Sequence, residues 1–303
     1  MTERIRKRFC EIISEDRVLV NEPMAGHTTF RIGGPADYFI EAADAEEIRW
    51  AIAVCREEGL PWFVLGRGSN LLVGDRGFRG VVLSVYREFQ GIETEQETVR
   101  VKAGTLLTTL TGKLLEESLT GMEFASGIPG TVGGAVMMNA GAYGGEMKDI
   151  VREVTVLTPE GEILCLSAAE MKFGYRTSVV KEKEYIVLLA VLELKKGDPE
   201  EIRRKMQELK AKRVEKQPLE YPSAGSTFNR PEGYFAGKLI MDAGLAGARV
   251  GGAQVSEKHC GFVVNTNNAT AADVRELMSR VQKTVEEKYG VRLEPEVRFL
   301  GEF

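Results

Sequence analysis

Two glycine-rich segments carry the residue types from which a phosphate cradle is built. Gly66-Arg67-Gly68-Ser69-Asn70-Leu71-Leu72 follows the apolar run Pro61 to Leu65. Gly127-Ile128-Pro129-Gly130-Thr131-Val132-Gly133-Gly134-Ala135 is followed closely by Asn139-Ala140-Gly141-Ala142-Tyr143-Gly144-Gly145. Glycines let successive backbone N–H groups turn toward one concavity and let a large ligand approach the main chain. Such a nest suits a pyrophosphate. Ser69, Asn70, Thr131 and Asn139 add short hydrogen-bonding side chains without filling the space a planar ring needs. Either loop alone reads more plainly as a tight connection held by its own Asx and Ser turns, and it is the presence of two that favours a ligand. No G-x-x-x-x-G-K-[ST] occurs, so an ATPase reading lacks its phosphate-binding lysine. Gly66 to Leu71 puts leucine where the dinucleotide fingerprint needs its third glycine, which disfavours a Rossmann site.

Composition narrows the partners. With 40 basic against 45 acidic side chains the formal net charge is -5, too weak and of the wrong sign to gather a nucleic acid backbone. Lys210, Lys212, Arg213 and Lys216 are interleaved with acids and read as a solvated helix face. Cys10, Cys55, Cys165 and Cys260 are scattered and form no C-x-x-C pair, and His27 and His259 are the two histidines, so neither a disulfide framework nor a metal site is expected. The beginning, MTERIRKRFCEII, makes a poor signal peptide, and no run of about twenty apolar residues is long enough to span a membrane. A reducing cytoplasm and no obligatory protein partner are the expectation.

The elements that must position the loops follow from periodicity. Residues 1–20, with Ile5, Phe9, Ile12, Ile13, Val18 and Leu19, predict an amphipathic helix. Phe30 to Ile40 predicts a strand pair around Gly-Gly-Pro. Asp44 as cap, Glu47 three residues on and the stripe Ile48, Ala51, Ile52 and Cys55 predict a helix stopped by Gly59. Strands are expected at 61–65, 81–85, 98–103, 151–157 and 185–194, and a helix at 105–119 with Leu106, Leu110 and Leu114 on one side. Asp198 and Pro199 start a charged helix that must end near Pro218. A short helix at 238–243 and a longer one at 271–289, capped by Thr270 and ended by Gly290, complete the chain. The expected division is a mixed α+β region at 1–197, a connector helix at 198–218 and a smaller α+β domain at 219–303.

Several segments, in order and spanning nearly the whole chain, resemble the UDP-N-acetylenolpyruvoylglucosamine reductase family. They are NEPMAGHTTFRIGGPAD at 21–37, GRGSNLLV at 66–73, ASGIPGTVGGAVMMNAGAYGGE at 125–146, FGYRTS at 173–178, YPSAGSTFNRP at 221–231, AGKLIMDAGLAG at 236–247, GGAQVSEKHCGFVVN at 251–265 and LEPEVRFLG at 293–301. The first region also resembles the flavin domain of vanillyl-alcohol oxidase. The resemblance implies an α+β fold with a vanillyl-alcohol-oxidase-like FAD-binding domain of two α+β subdomains, then a smaller α+β substrate-binding domain. The short connection from Arg176 to Tyr185 resembles the form of the enzyme without a tyrosine-bearing substrate loop. The motif match argues against a related FAD oxidase or dehydrogenase of a small alcohol or hydroxy acid, and against a flavin- or sugar-nucleotide-binding regulator.

The resemblance also implies a chemistry: NADPH reduces noncovalently bound FAD, and flavin N5 then passes hydride to C3 of UDP-N-acetylglucosamine enolpyruvate. The enolic carboxylate left behind must be protonated at C2, so the site needs groups that hold negative charge and one that gives a proton. By family position Ser226 is the proton donor, credible because the carbon it serves is strongly basic. Arg176 and Glu296 steady the developing charge. Arginine offers a planar two-point fork, whereas an ionised Glu296 would oppose the anion, so it is expected protonated or acting through the arginine. Implied FAD contacts are Arg31, Gly66, Arg67, Gly68, Ser69, Asn70, Gly127, Gly130, Thr131, Gly133, Gly134 and Asn139. Implied substrate contacts are Tyr175, Lys238, Gln254 and Asn265.

Overall fold

The computed structural model describes residues 2–303. They form two compact units built from interleaved segments: the first holds residues 2–20, Tyr38–Arg67 and Gly80–Arg213, and the second holds Asn21–Asp37, Gly68–Arg79 and Val214–Phe303. This differs from a division into consecutive stretches. Segments 21–37 and 68–79 group with the C-terminal region because their apolar side chains, Phe30, Ile32 and Leu72, are buried in its core.

The first unit contains two sheets. One has the order Val18–Pro23, Pro35–Glu41, Phe78–Ser84, Trp62–Leu65, with the last two parallel. The other is antiparallel, in the order Ile163–Ser167, Val151–Leu157, Ile186–Glu193, Thr98–Lys102, Ile92–Glu95. Ile186–Glu193 is buried at nearly every position, as expected of a central strand covered on both faces; helix Val132–Met137 packs against it. The edge strand Ile163–Ser167 instead alternates between exposed and half-buried positions. Helix Ala45–Glu58 forms as its caps require. The Asp44 carboxylate accepts the Glu47 N–H at 2.9 Å, and Gly59 closes the helix at φ 67°. Arg17 grips the buried Glu47 through both guanidinium nitrogens at 2.6 and 2.5 Å, and Glu47 also accepts the Ala43 N–H.

Three expectations need correcting. The first helix ends at Phe9, and Val18–Pro23 is a strand. Ile5, Phe9 and Ile13 do reach the core, but backbone pairing within the sheet captures the β-branched residues that follow. Of the expected strand pair, Pro35–Glu41 is a strand, while Phe30 to Gly34 is a loop with left-handed Arg31 at φ 55° and Gly33 at φ 141°. Phe30 and Ile32 alternate because they anchor that loop in the core. The helix Leu107–Glu116 buries Leu107, Leu110 and Leu114; Leu106 is its half-exposed N-terminal flank, so the apolar stripe starts one residue later than predicted.

The second unit packs helices Ala236–Asp242 and Ala271–Tyr289 with the sheet Arg249–Val250, Ala253–Val255, Val263–Asn265. Val274, Leu277, Met278, Val281 and Val285 form the buried stripe of the long helix. Its start is a reciprocal capping box: the Thr270 hydroxyl accepts the Asp273 N–H and the Asp273 carboxylate accepts the Thr270 N–H, both at 3.0 Å. Asp75 adds a second acceptor set at that end, taking the N–H groups of Ala271 and Ala272. Replacing Thr270 with Ala removes one cap bond and is expected to cost about 1 kcal/mol. Urea titration should show a lower midpoint with an unchanged slope.

Candidate active site

Within the first unit the two glycine segments meet. A Cβ on Gly66 would lie 2.5 Å from the Thr131 hydroxyl, so Gly66 lets Thr131 approach the end of strand Trp62–Leu65. Thr131 is buried and caps helix Val132–Met137 through the Gly134 N–H. Backbone bonds from Leu107 N–H to Gly130, Val132 N–H to Thr105 and Gly133 N–H to Ala103 stitch the second segment to the neighbouring strand and helix. Gly133 permits this, since a Cβ there would sit 2.9 Å from that of Ala103. Arg67 lies with its guanidinium 4.9 Å from the Tyr86 ring centre.

Arg176 sits in a tight turn of the same unit. Gly174 and Thr177 exchange backbone bonds across Tyr175 and Arg176, Arg176 adopts φ 55°, and its guanidinium lies 5.4 Å from the exposed Tyr175 ring. Asn139 fastens this turn: its amide donates to the Gly174 carbonyl at 3.0 Å and to Glu146 at 2.9 Å, and its carbonyl accepts the Lys148 N–H. Lys148 above all, with Asn139 and the positive charge of Arg176, holds the Glu146 carboxyl below the usual carboxylate range. Asn139 is thus engaged on three sides by protein, and Glu146, which sequence reading does not single out, belongs to the same cluster. Their separation along the chain hides this pairing from any local pattern.

The second unit joins the backbone of Glu296 to that of Thr227, the residue after Ser226. The Thr227 N–H bonds to the Gly261 carbonyl at 2.8 Å, the Thr227 hydroxyl accepts the Val263 N–H at 2.9 Å, and the Thr227 carbonyl accepts the Glu296 N–H at 2.9 Å. Ser226 and Glu296 are both half-buried, and the Ser226 hydroxyl makes no hydrogen bond among the described residues. Gly225, at φ 76°, supplies the bend before it. Thr29 donates to the Ser223 carbonyl at 2.6 Å upstream. Asn70 donates to the Glu296 carbonyl at 3.1 Å and accepts the Arg298 N–H through its own backbone. Gly68, left-handed at φ 67°, packs where a Cβ would strike the His27 carbonyl. Ser69 is half-buried, and Arg31 is exposed at the loop tip.

Among the residues expected to meet substrate, Lys238 is exposed and pairs with Asp242 at 2.8 Å. Gln254 and Asn265 are buried on adjacent strands. The Asn265 amide donates to the Phe30 carbonyl and its oxygen accepts the Ala269 N–H. His259 accepts the Gly261 N–H at Nδ1 and stacks edge-on against Phe262. No cluster of three metal-ligating side chains occurs among the described residues, and no helix is long and apolar enough to cross a membrane.

Residues 217–300 match the family of the C-terminal domain of UDP-N-acetylenolpyruvoylglucosamine reductase, and residues 36–167 match the FAD binding domain family. The UDP-N-acetylenolpyruvoylglucosamine reductase of Lachnoclostridium phytofermentans is 54% identical, covering 100% of this chain and 99% of its own. The protein of that name from Caldanaerobacter subterraneus subsp. tengcongensis is 52% identical over 100% of both. The chain belongs to the UDP-N-acetylenolpyruvoylglucosamine reductase family. The crystal structure of the Thermus caldophilus enzyme superposes with a TM-score of 0.79 at 38% identity, covering 93% of this chain and 98% of that one. The 4-ethylphenol oxidase of Gulosibacter chungangensis shares the fold alone, with a TM-score of 0.50 at 18% identity over 63% of this chain and 42% of that one. The expected α+β fold, a flavin domain of the vanillyl-alcohol-oxidase type followed by a reductase C-terminal domain, is thereby established.

Two outcomes follow from this geometry. Gly68→Ala forces an alanine into the left-handed region beside a carbonyl, and is expected to cost at least about 1–2 kcal/mol, read by denaturant titration. Burial pushes His259 below its ordinary value of 6.5, so the unfolded chain takes up a proton there before the folded chain does. The stability that neutral His259 contributes is present above about pH 6.5 and lost as pH falls through its folded value. His259→Gln should flatten that part of the acid limb in a stability–pH profile.

Proposed function

We propose that this protein is the FAD-dependent, NADPH-driven reductase that converts UDP-N-acetylglucosamine enolpyruvate to UDP-N-acetylmuramate, a step of peptidoglycan precursor synthesis in the cytoplasm. The observation that carries the reading is the match of residues 217–300 to the reductase C-terminal domain, supported by the backbone bond from Glu296 to Thr227, the residue after Ser226. A half-buried hydroxyl unengaged by protein is what a proton donor to substrate requires.

FAD is held noncovalently by the glycine segments, with Arg31, Arg67, Ser69, Asn70, Thr131 and Asn139 bordering them, and when bound it supplies hydride to C3 of the enolpyruvyl ether. The glycine cradle fits such a group, because Gly66 and Gly133 bring the backbone closer to Thr131 and Ala103 than a side chain would allow and keep the loops without bulk there. Arg176 fixes the substrate carboxylate by its two-point fork and stabilises charge that spreads onto it. Ser226 then gives its proton to C2. Glu296 acts in its protonated form, because an ionised carboxyl beside the enolate would raise the barrier. Tyr175, Lys238, Gln254 and Asn265 border the sugar nucleotide. Asn265, with its amide committed to Phe30 and Ala269, does so by shaping the strand it lies on.

Anaerobic half-reactions test the assignment. Ser226→Ala should still be bleached by NADPH at the wild-type rate, while reoxidation by UDP-N-acetylglucosamine enolpyruvate slows by roughly 10²–10⁴-fold, the size of a lost general acid. Equal loss of both half-reactions removes Ser226 from the role, and reoxidation of wild-type protein by oxygen alone points to an oxidase.

A further inference from the structure

Three half-buried arginines of this protein are matched by carboxylates. Arg6 bonds Glu15, Arg8 bonds Glu57 and Glu58, and Arg17 bonds Glu47. Two others lack a carboxylate among the described residues: Arg67, which lies over the Tyr86 ring, and Arg213, near the end of helix Pro199–Lys216, which lies over no ring. Its sequence neighbours Lys210, Lys212 and Lys216 are exposed, as the charge pattern predicts, but Arg213 is half-buried, which corrects the reading of this group as one solvated face. It has no ion pair and no side-chain hydrogen bond among the described residues. Burial lowers its tendency to stay charged.

What Arg213 touches is the second glycine segment. A Cβ on Gly127 would lie 3.0 Å from the Arg213 Cδ, 3.5 Å from Nη1 and 3.8 Å from Nε. The guanidinium therefore lies on the first glycine of the run whose Thr131 adjoins Gly66. A desolvated guanidinium without an anion is costly, and one placed on a ligand loop is expected to meet its anion in the ligand. We propose that Arg213 is a cofactor-binding residue whose guanidinium bonds an anionic oxygen of FAD, at its pyrophosphate or at the C2 carbonyl of the ring that gains charge on reduction. This rests on the assignment of the glycine segments as the FAD cradle.

The test titrates apoprotein with FAD, following flavin fluorescence, and measures the midpoint potential of the holoprotein by dye equilibration. Wild type, Arg213→Gln and Arg213→Lys are compared, each first checked for an unchanged apoprotein melting temperature. Arg213→Gln is expected to weaken FAD binding about ten- to a hundred-fold, with Arg213→Lys recovering part of the loss. An unchanged potential assigns the contact to the pyrophosphate, and a lowered one assigns it to the ring. Affinity and potential both within about twofold of wild type would overturn the proposal while leaving the cradle intact. A lowered apoprotein melting temperature that Lys does not restore would overturn it in favour of a packing role. Failure of wild type to bind FAD would overturn the cradle assignment, and this inference with it.

Discussion

The bond from the Glu296 N–H to the Thr227 carbonyl is the constraint on which the chemistry of the second unit depends. Ser226 and Glu296 stand seventy residues apart in sequence, and a backbone bond places them with less slack than two flexible side chains could achieve. The neighbouring contacts make the arrangement hard to deform. Thr227 is held on both sides by the Gly261–Val263 segment, and the Glu296 carbonyl is held by the Asn70 amide. For the proton transfer proposed for Ser226, a weak acid contributes when its distance and angle are held by the scaffold, and these bonds at Thr227 would supply that rigidity.

In the first unit the corresponding constraint is close backbone approach. Gly66 admits Thr131, and Gly133 admits Ala103. Asn139 then carries the order outward to the turn that holds Arg176, where the left-handed backbone is maintained by bonds to both Gly174 and Glu146. Residues that read as ligand contacts by composition therefore divide in two. Some leave space in the loops, and others, Asn139 and Asn70 among them, use side-chain amides to hold neighbouring segments of the chain. The distinction matters physically because a side chain whose donors are already satisfied has little left to offer a ligand.

Local pattern was legible where the physics is local. Helix Ala45–Glu58, with its Asp44 cap and Gly59 stop, and helix Ala271–Tyr289, with its Thr270 cap, lie where the sequence puts them. Pattern failed where a distant partner decides. Val18–Pro23 is a strand because a sheet captures it, and Phe30 and Ile32 alternate in a loop because one core buries both. The division of the chain was illegible for the same reason, since segments 21–37 and 68–79 join the unit their buried side chains pack into.

By itself the sequence determined the family, the two glycine segments, the absence of metal-ligand spacing and the residue types needed to hold an enolate and protonate it. These are properties of residue identity and short-range order, which a linear text preserves. Tertiary structure alone decided that Thr227 ties Ser226 to Glu296, that Asn139 and Glu146 support the Arg176 turn, and that Arg213 lies on Gly127 without a carboxylate while its lysine neighbours face water. Each is a hydrogen bond or contact between residues brought together by burial, and burial is a property of the whole packed chain that no window of sequence contains.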